Sequence, residues 1–113
     1  MALAAIDVVE ESVPDLSGMD RSAAKVSGFL KAIGHPGRLL ILCHLVEGEK
    51  SVSELESLLG LRQAAVSQQL SRLRRDGLVR PRRQGKTIFY RIGDTRAQHV
   101  IELLNDLFCD EPA

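Results

Sequence analysis

From about residue 21 onward, apolar residues recur every three or four positions, the spacing of a single helical face. The stretch RSAAKVSGFLKAIG sets Ala23, Val26, Phe29, Leu30 and Ile33 on one stripe and meets Gly34, a residue that closes helices well. HPGRLLILCHLVEG opens with Pro36, whose missing N–H is harmless in a first turn. It runs Leu39, Leu42, Cys43 and Val46 along one face and stops at Gly48. SVSELESLLG has Ser53 as its expected N-cap, with Glu54 and Glu56 near the positive end of a short helix that ends at Gly60. After a turn centred on Leu61, RQAAVSQQLSRLRRDG directs Val66, Leu70 and Leu73 inward and passes Gly77.

Beyond Gly77 the pattern changes. LVRPRRQGKTIFYRIG carries β-branched and aromatic residues on both sides of RRQGK, with Pro81 entering and Gly85 at the tip, and predicts a two-stranded hairpin. Two short strands do not stand alone, so they must lean on the helices. The last segment, roughly 95–109, presents Val100, Ile101, Leu103, Leu104, Leu107 and Phe108, an apolar arc too wide for one small core. The same helix of a twofold-related copy is its expected cover. The pattern predicts a mainly α fold with a small β-hairpin: four helices, two strands and a final helix, in the order of a winged helix-turn-helix homodimer.

Composition narrows the class. A chain of 113 residues makes one domain and is short for an enzyme with its own substrate cleft. With 44% hydrophobic and 27% charged residues and no long apolar run, it reads as a soluble globular protein with no membrane partner. MALAAIDVVEE lacks the positive start of a signal peptide, so the expected compartment is the cytoplasm, where thiols are kept reduced. Three Phe, one Tyr and no Trp leave few platforms for stacking single-stranded bases. A thiol enzyme would need a Cys with a His base and an oxyanion site, and the sequence shows neither that grouping nor a Cys-x-x-Cys.

The formal net charge of zero hides a segregation. Residues 1–20 carry Asp7, Glu10, Glu11, Asp15 and Asp20 with no base, a net of −5. Residues 62–91 carry nine bases against Asp76 alone, a net of +8, and residues 94–113 return to −4. A basic block between acidic ends is the footprint of a surface that binds a polyanion. Residues 1–20 are accordingly an acidic N-terminal segment, either a flexible arm or a helix over AAIDVVEE that packs on the dimer. Residues 21–110 form the winged-helix DNA-binding and dimerisation domain.

Within the basic block, a rotation of 100° per residue from the Val66–Leu70–Leu73 stripe leaves Ala64, Gln68, Ser71 and Arg75 outward. Ser67 falls at the side and Gln63 at the exposed start. Gln pairs bidentately with adenine, and Ser bonds to base edges or phosphate. With Arg72 beside them, these are the candidate contacts to a major groove, while Arg82, Arg83 and Lys86 on the hairpin suit phosphate or a narrow minor groove.

AIGHPGRLLIL, VSELESLLGLRQAAVSQQLSRLRRDGLV and RRQGKTIFYRI, in that order, resemble the corresponding segments of the ArsR family of dimeric bacterial repressors. The likeness spans about residues 22–109. It implies dimerisation through the first and last helices, binding to an imperfect palindrome of double-stranded operator DNA, and recognition-helix contacts at Gln63, Ala64, Ser67 and Gln68. Members that sense arsenic or cadmium carry a Cys-x-Cys at the start of the third helix; here Ser51 and Ser53 stand there. Members that bind zinc on the last helix need an Asp and a His two apart, then a further pair; here Asp94 is followed by Arg96, with Leu107 and Asp110 at the second pair.

The remaining candidates are Cys43 and Cys109, with His44 and His99 to weigh. His35, ahead of Pro36, reads as a helix cap or a surface residue. His44 points about 100° away from Cys43 on the helix, and His99 lies nearly three turns before Cys109, so both are poor co-ligands. Packing, an unusual metal site and redox chemistry all stay open for the pair. One cysteine on the second helix and one at the end of the last resembles the ArsR subgroup that senses persulfides and reactive sulfur, including BigR and SqrR. What that resemblance implies is a reduced dimer on DNA, low-molecular-weight persulfides as inducer, and no cofactor. Cys43 and Cys109 then join within one chain through a disulfide or a longer sulfur bridge. A plain disulfide asks for Cα atoms roughly 4.4–6.8 Å apart, and each inserted sulfur extends the link by up to about 2 Å. A thiol-redox repressor forming a plain disulfide, and a repressor with a non-standard metal site, are the alternatives.

Overall fold

The computed structural model describes residues 13–109. The order is α1 (Met19–Ile33), α2 (Pro36–Glu47), β1 (Lys50–Ser51), α3 (Val52–Leu59), α4 (Gln63–Arg75), β2 (Val79–Gln84), β3 (Thr87–Ile92) and α5 (Thr95–Phe108). Helix α3, its turn and α4 make the helix-turn-helix, and β2–β3 the wing. Most of the acidic segment, residues 1–12 with the helix expected over AAIDVVEE, lies outside the described residues, as does Asp110.

Helices α1 and α2 meet at an 88° bend across Gly34 and His35. Any side chain at position 34 would put its Cβ 2.9 Å from the Leu30 carbonyl oxygen, so the close turn requires glycine. His35 is the N-cap of α2: the Gly37 N–H donates to its Nδ1 at 3.0 Å, with Pro36 in the first turn. Only the C-terminal turn of α1, Ala32 and Ile33, is buried, whereas Ala23 and Leu30 of the expected stripe face solvent. In α2 the deeply buried side chains are Ile41, Leu42 and Leu45, while Leu39, Cys43 and Val46 are half-buried. The inward face thus differs from the expected one. The run LLILCHLV is apolar all round and packs against α1, α3, α4, α5 and β3, so periodicity alone does not choose a face.

A two-residue strand, β1, adds to the expected hairpin and makes a three-stranded antiparallel sheet in the order β1-β3-β2. Lys50 pairs with Tyr90 and Ser51 with Phe89. Two residues cannot announce alternation, which is why the pattern did not predict them. Ser51, not Ser53, caps α3. Its hydroxyl accepts from the Glu54 N–H at 3.1 Å and the Glu54 carboxylate accepts from the Ser51 N–H at 2.7 Å. Ser53 is exposed inside the first turn. Ser51→Ala is expected to lower stability by about 1 kcal/mol, the usual worth of an N-cap, and Ser53→Ala to leave it nearly unchanged. Urea denaturation of the two variants checks the assignment.

Helix α3 closes on Gly60 in the left-handed region, φ 66°, and the chain turns into α4. Val66, Leu70 and Leu73 of α4 are buried as the pattern predicts and meet Ile41, Leu42, Leu55, Leu78 and Val79 in one core. In the wing, Val79 to Gln84 pair with Ile92 to Thr87, and Gly85 turns the tip at φ 63°. Val79, Tyr90 and Ile92 lean on the core, while Arg80 and Arg82 face away from it. Helix α5 buries Ala97 and Ile101, half-buries Val100 and Leu104, and leaves Leu103 54%, Leu107 62% and Phe108 77% exposed. Among the described residues, no single helix is long and apolar enough to cross a membrane.

Candidate nucleic-acid interface and thiol pair

Helix α4 needs no tertiary help to sort its faces. Three buried aliphatic side chains lock one side against the core, and the residues about half a turn away necessarily point out. Gln63, Ala64, Gln68, Ser71 and Arg75 are exposed, and Ser67 is half-buried at the edge of the same surface. The stripe is convex, polar and ends in basic residues. A negative backbone is favoured at the C-terminal turn by Arg72, Arg74 and Arg75 rather than by the helix dipole.

Two expected contacts are already engaged within the chain. Arg72 is half-buried and its Nε donates to Asp76 Oδ2 at 2.9 Å, one turn along the helix. Arg82 forms a two-pronged ion pair with Glu49, at 2.6 Å and 3.0 Å, and lies 4.8 Å above the centre of the Phe89 ring. The Arg82 guanidinium holds the Glu49 carboxyl below its ordinary range, chiefly through these hydrogen bonds. Arg82 therefore fixes the wing to the loop before β1. Arg83 and Lys86, near the wing tip, are exposed and make no ion pair among the described residues.

Glu49 escaped sequence reasoning because its partner lies 33 positions away. Arg38 escaped it too. Its Nε donates to the Ala32 carbonyl at 2.5 Å and its other nitrogens to the Lys31 carbonyl at 3.1 Å and Gln69 Oε1 at 3.0 Å. One guanidinium thus closes the carbonyl end of α1 and ties it to the recognition helix. The only hint in the sequence is a basic residue two positions after a proline helix entry.

The thiols occupy helices that pack together, Cys43 half-buried on α2 and Cys109 exposed at the C-cap of α5. Burial pushes the Cys43 thiol above its ordinary value, and the negative charge that Cys109 and Glu47 carry when ionised pushes it further. Iodoacetamide at neutral pH is expected to label Cys109 before Cys43. Labelling of Cys43 should then accelerate as pH rises past the ordinary thiol range, because the raised value delays its thiolate. Peptide mass spectrometry over a pH series reads both rates.

Two of the residues at the metal-ligand positions, Ser51 and Asp94, have structural partners. Ser51 caps α3, as described above, and Asp94 caps α5 by accepting from the Arg96 N–H at 2.9 Å while pairing with the Arg96 guanidinium at 2.8 Å. That guanidinium holds the Asp94 carboxyl below its ordinary range. Among the described residues, no three His, Cys, Asp or Glu side chains gather as a metal site would require.

Residues 35–80, from the N-cap of α2 to the start of the wing, match the bacterial regulatory proteins of the arsR family. The biofilm growth-associated repressor of Agrobacterium fabrum is 43% identical over 104 residues, spanning 92% of this chain and 86% of its own. Reduced HlyU from Vibrio cholerae superposes with a TM-score of 0.78 at 47% identity, over 81% of this chain and 97% of that one. The transcriptional repressor BigR from Xylella fastidiosa superposes with a TM-score of 0.82 at 42% identity, over 87% and 100%. The family match takes in α2, α3 and α4. The chain belongs to the arsR family of bacterial regulatory proteins, DNA-binding regulators of transcription, and is similar within it to the BigR-like repressors.

Proposed function

We propose that this protein is a transcriptional repressor that holds operator DNA as a reduced homodimer and leaves it when Cys43 and Cys109 react with low-molecular-weight persulfides. The observation that carries the reading is the placement of the two thiols on packed helices, α2 and α5, with the outer side of α5 left apolar and exposed. A covalent link between the helices acts on the element that a second copy would cover. The relatives in Agrobacterium and Xylella are named as repressors. Gln63, Ala64, Ser67, Gln68 and Ser71 present the surface to base edges, and Arg83 and Lys86 reach the backbone.

The persulfide is itself the oxidant, its outer sulfur being reduced to sulfide. The exposed Cys109 thiolate attacks the terminal sulfur of a persulfide RSSH and RS⁻ leaves, so that Cys109 carries –S–SH. The Cys43 thiolate then attacks the inner sulfur of that group and expels HS⁻. Two thiols and one persulfide have become a disulfide, a free thiol RSH and hydrogen sulfide. If a second persulfide first loads Cys43, the Cys109 persulfide displaces HS⁻ from it and a trisulfide results. Intact-mass spectrometry after treatment with glutathione persulfide distinguishes the products: loss of two hydrogens for a disulfide, and one further sulfur for each step beyond it.

Fluorescence anisotropy on operator DNA tests the reading. Persulfide is expected to release the DNA and dithiothreitol to restore binding, whereas zinc added to the reduced protein should leave binding as it was. Release by zinc with no mass change after persulfide would replace the sulfur switch with a metal one.

A further inference from the structure

The first turn of α2 and the outer side of α4 enclose a cleft of about 420 Å³, walled by Arg38, Gln68, Gln69, Ser71, Arg72 and Arg75. Three of these six side chains are guanidinium groups. Asp76, on the flank, already pairs with Arg72 at 2.9 Å. Arg75 makes no ion pair among the described residues. Arg38 is held by acceptors that carry no charge, the carbonyls of Lys31 and Ala32 and the Gln69 amide oxygen, so its orientation is set without an ion pair among the described residues.

Such an arrangement is unfavourable by itself. Burial and the nearby Arg72 pull the Arg38 guanidinium below its ordinary range, and the Asp76 carboxylate offsets only part of that. One anion in the cleft would reverse the sign of that interaction. The position says which anion. Gln68, Ser71 and Arg75 belong to the exposed stripe of α4 that faces a major groove, so a duplex lying on that stripe carries a backbone strand past the mouth.

We propose that this cleft seats one backbone phosphate of the bound duplex, with Arg38 and Arg75 as its charged donors and Gln69 as the residue that orients Arg38. The proposal rests on the reading of α4 as the recognition helix and adds a contact outside it. It also gives Arg38 two tasks at one place: it closes α1 and it fixes the register of the duplex against the protein. The α1–α2 elbow and the DNA backbone then share one side chain.

Phosphate contacts are told apart from base contacts by salt. Each neutralised phosphate contributes about 0.9 to the slope of log affinity against log salt, whatever the base sequence. Two variants probe the cleft without removing the Arg38 cap on α1. Arg75→Gln deletes a donor on an exposed position, and Gln69→Glu keeps the acceptor on Arg38 but gives it a negative charge that competes with the phosphate. Thermal melting verifies that both fold. Binding is measured from low to high potassium chloride on a random-sequence duplex and on one selected for tight binding. Each variant is expected to reduce the slope by about 0.9 per subunit and to weaken both duplexes by the same factor. Unchanged slopes in both variants overturn the proposal, and so does a loss confined to the selected duplex, which would assign the cleft to base reading. If only Arg75→Gln lowers the slope, Arg38 and Gln69 are removed from the site. Failure of the wild-type protein to bind either duplex would instead refute the DNA-binding reading itself.

Discussion

Glutathione persulfide is expected to weaken the hold of the reduced protein on operator DNA by roughly 5- to 150-fold, the range of a 1–3 kcal/mol coupling between two sites. Cys43→Ser and Cys109→Ser are each expected to abolish that response while leaving the affinity of the reduced protein within about twofold, since neither residue lies on the exposed side of α4 or on the wing. The expectation follows from where the thiols sit. Cys109 is exposed and accessible at the end of α5, whereas Cys43 is half-buried and its thiol is pushed above the ordinary value, chiefly by burial. Either one alone can be capped by a persulfide, but only the pair can tie α2 to α5. A cap on an exposed helix end leaves packing untouched, while a tie moves the helix that carries Leu103, Leu107 and Phe108. Release of DNA by persulfide from either serine variant would sink the cross-link as the switch.

A combined Leu103→Glu and Leu107→Glu substitution is expected to convert a homodimer into monomers at micromolar concentration. Affinity for a palindromic operator should fall by about a hundredfold or more, because the second half-site is no longer engaged as an intramolecular event. Both side chains are more than half exposed in the single chain, so charge there leaves the core intact. Phe108 at the end of α5, and Met19 and Leu30 on α1, are likewise apolar side chains left exposed in the described chain. Circular dichroism would register the preserved helices and sedimentation velocity the change of mass. A variant that remained dimeric and bound the palindrome normally would place the interface elsewhere.

The recognition helix was legible in the sequence almost residue by residue. It is strongly amphipathic, with Val66, Leu70 and Leu73 buried and Gln63, Ala64, Gln68, Ser71 and Arg75 exposed, so the helical period alone separates its sides. The hairpin was legible because Gly85 marks its tip and the β-branched and aromatic run TIFY follows it. Helix α2 was legible as an element but not as a face, since an all-apolar run carries no moment to read. The capping serine was displaced by two positions: Ser51 and Ser53 both precede a glutamate, and only the backbone path through β1 shows which hydroxyl meets the Glu54 N–H.

Local order is what the sequence by itself determined: the helices, the wing, the outward stripe of α4, the charge segregation and the two isolated cysteines. Each depends on interactions between residues a few positions apart, or on counting. The tertiary structure alone decided which groups from distant segments meet. It placed Glu49 on Arg82, Arg38 on both α1 and Gln69, β1 on β3, and Cys43 on a helix that packs against the one Cys109 ends. These meetings join positions tens of residues apart in the chain. No periodicity encodes them, because the free energy that selects them is the burial of one shared core rather than any property of a segment.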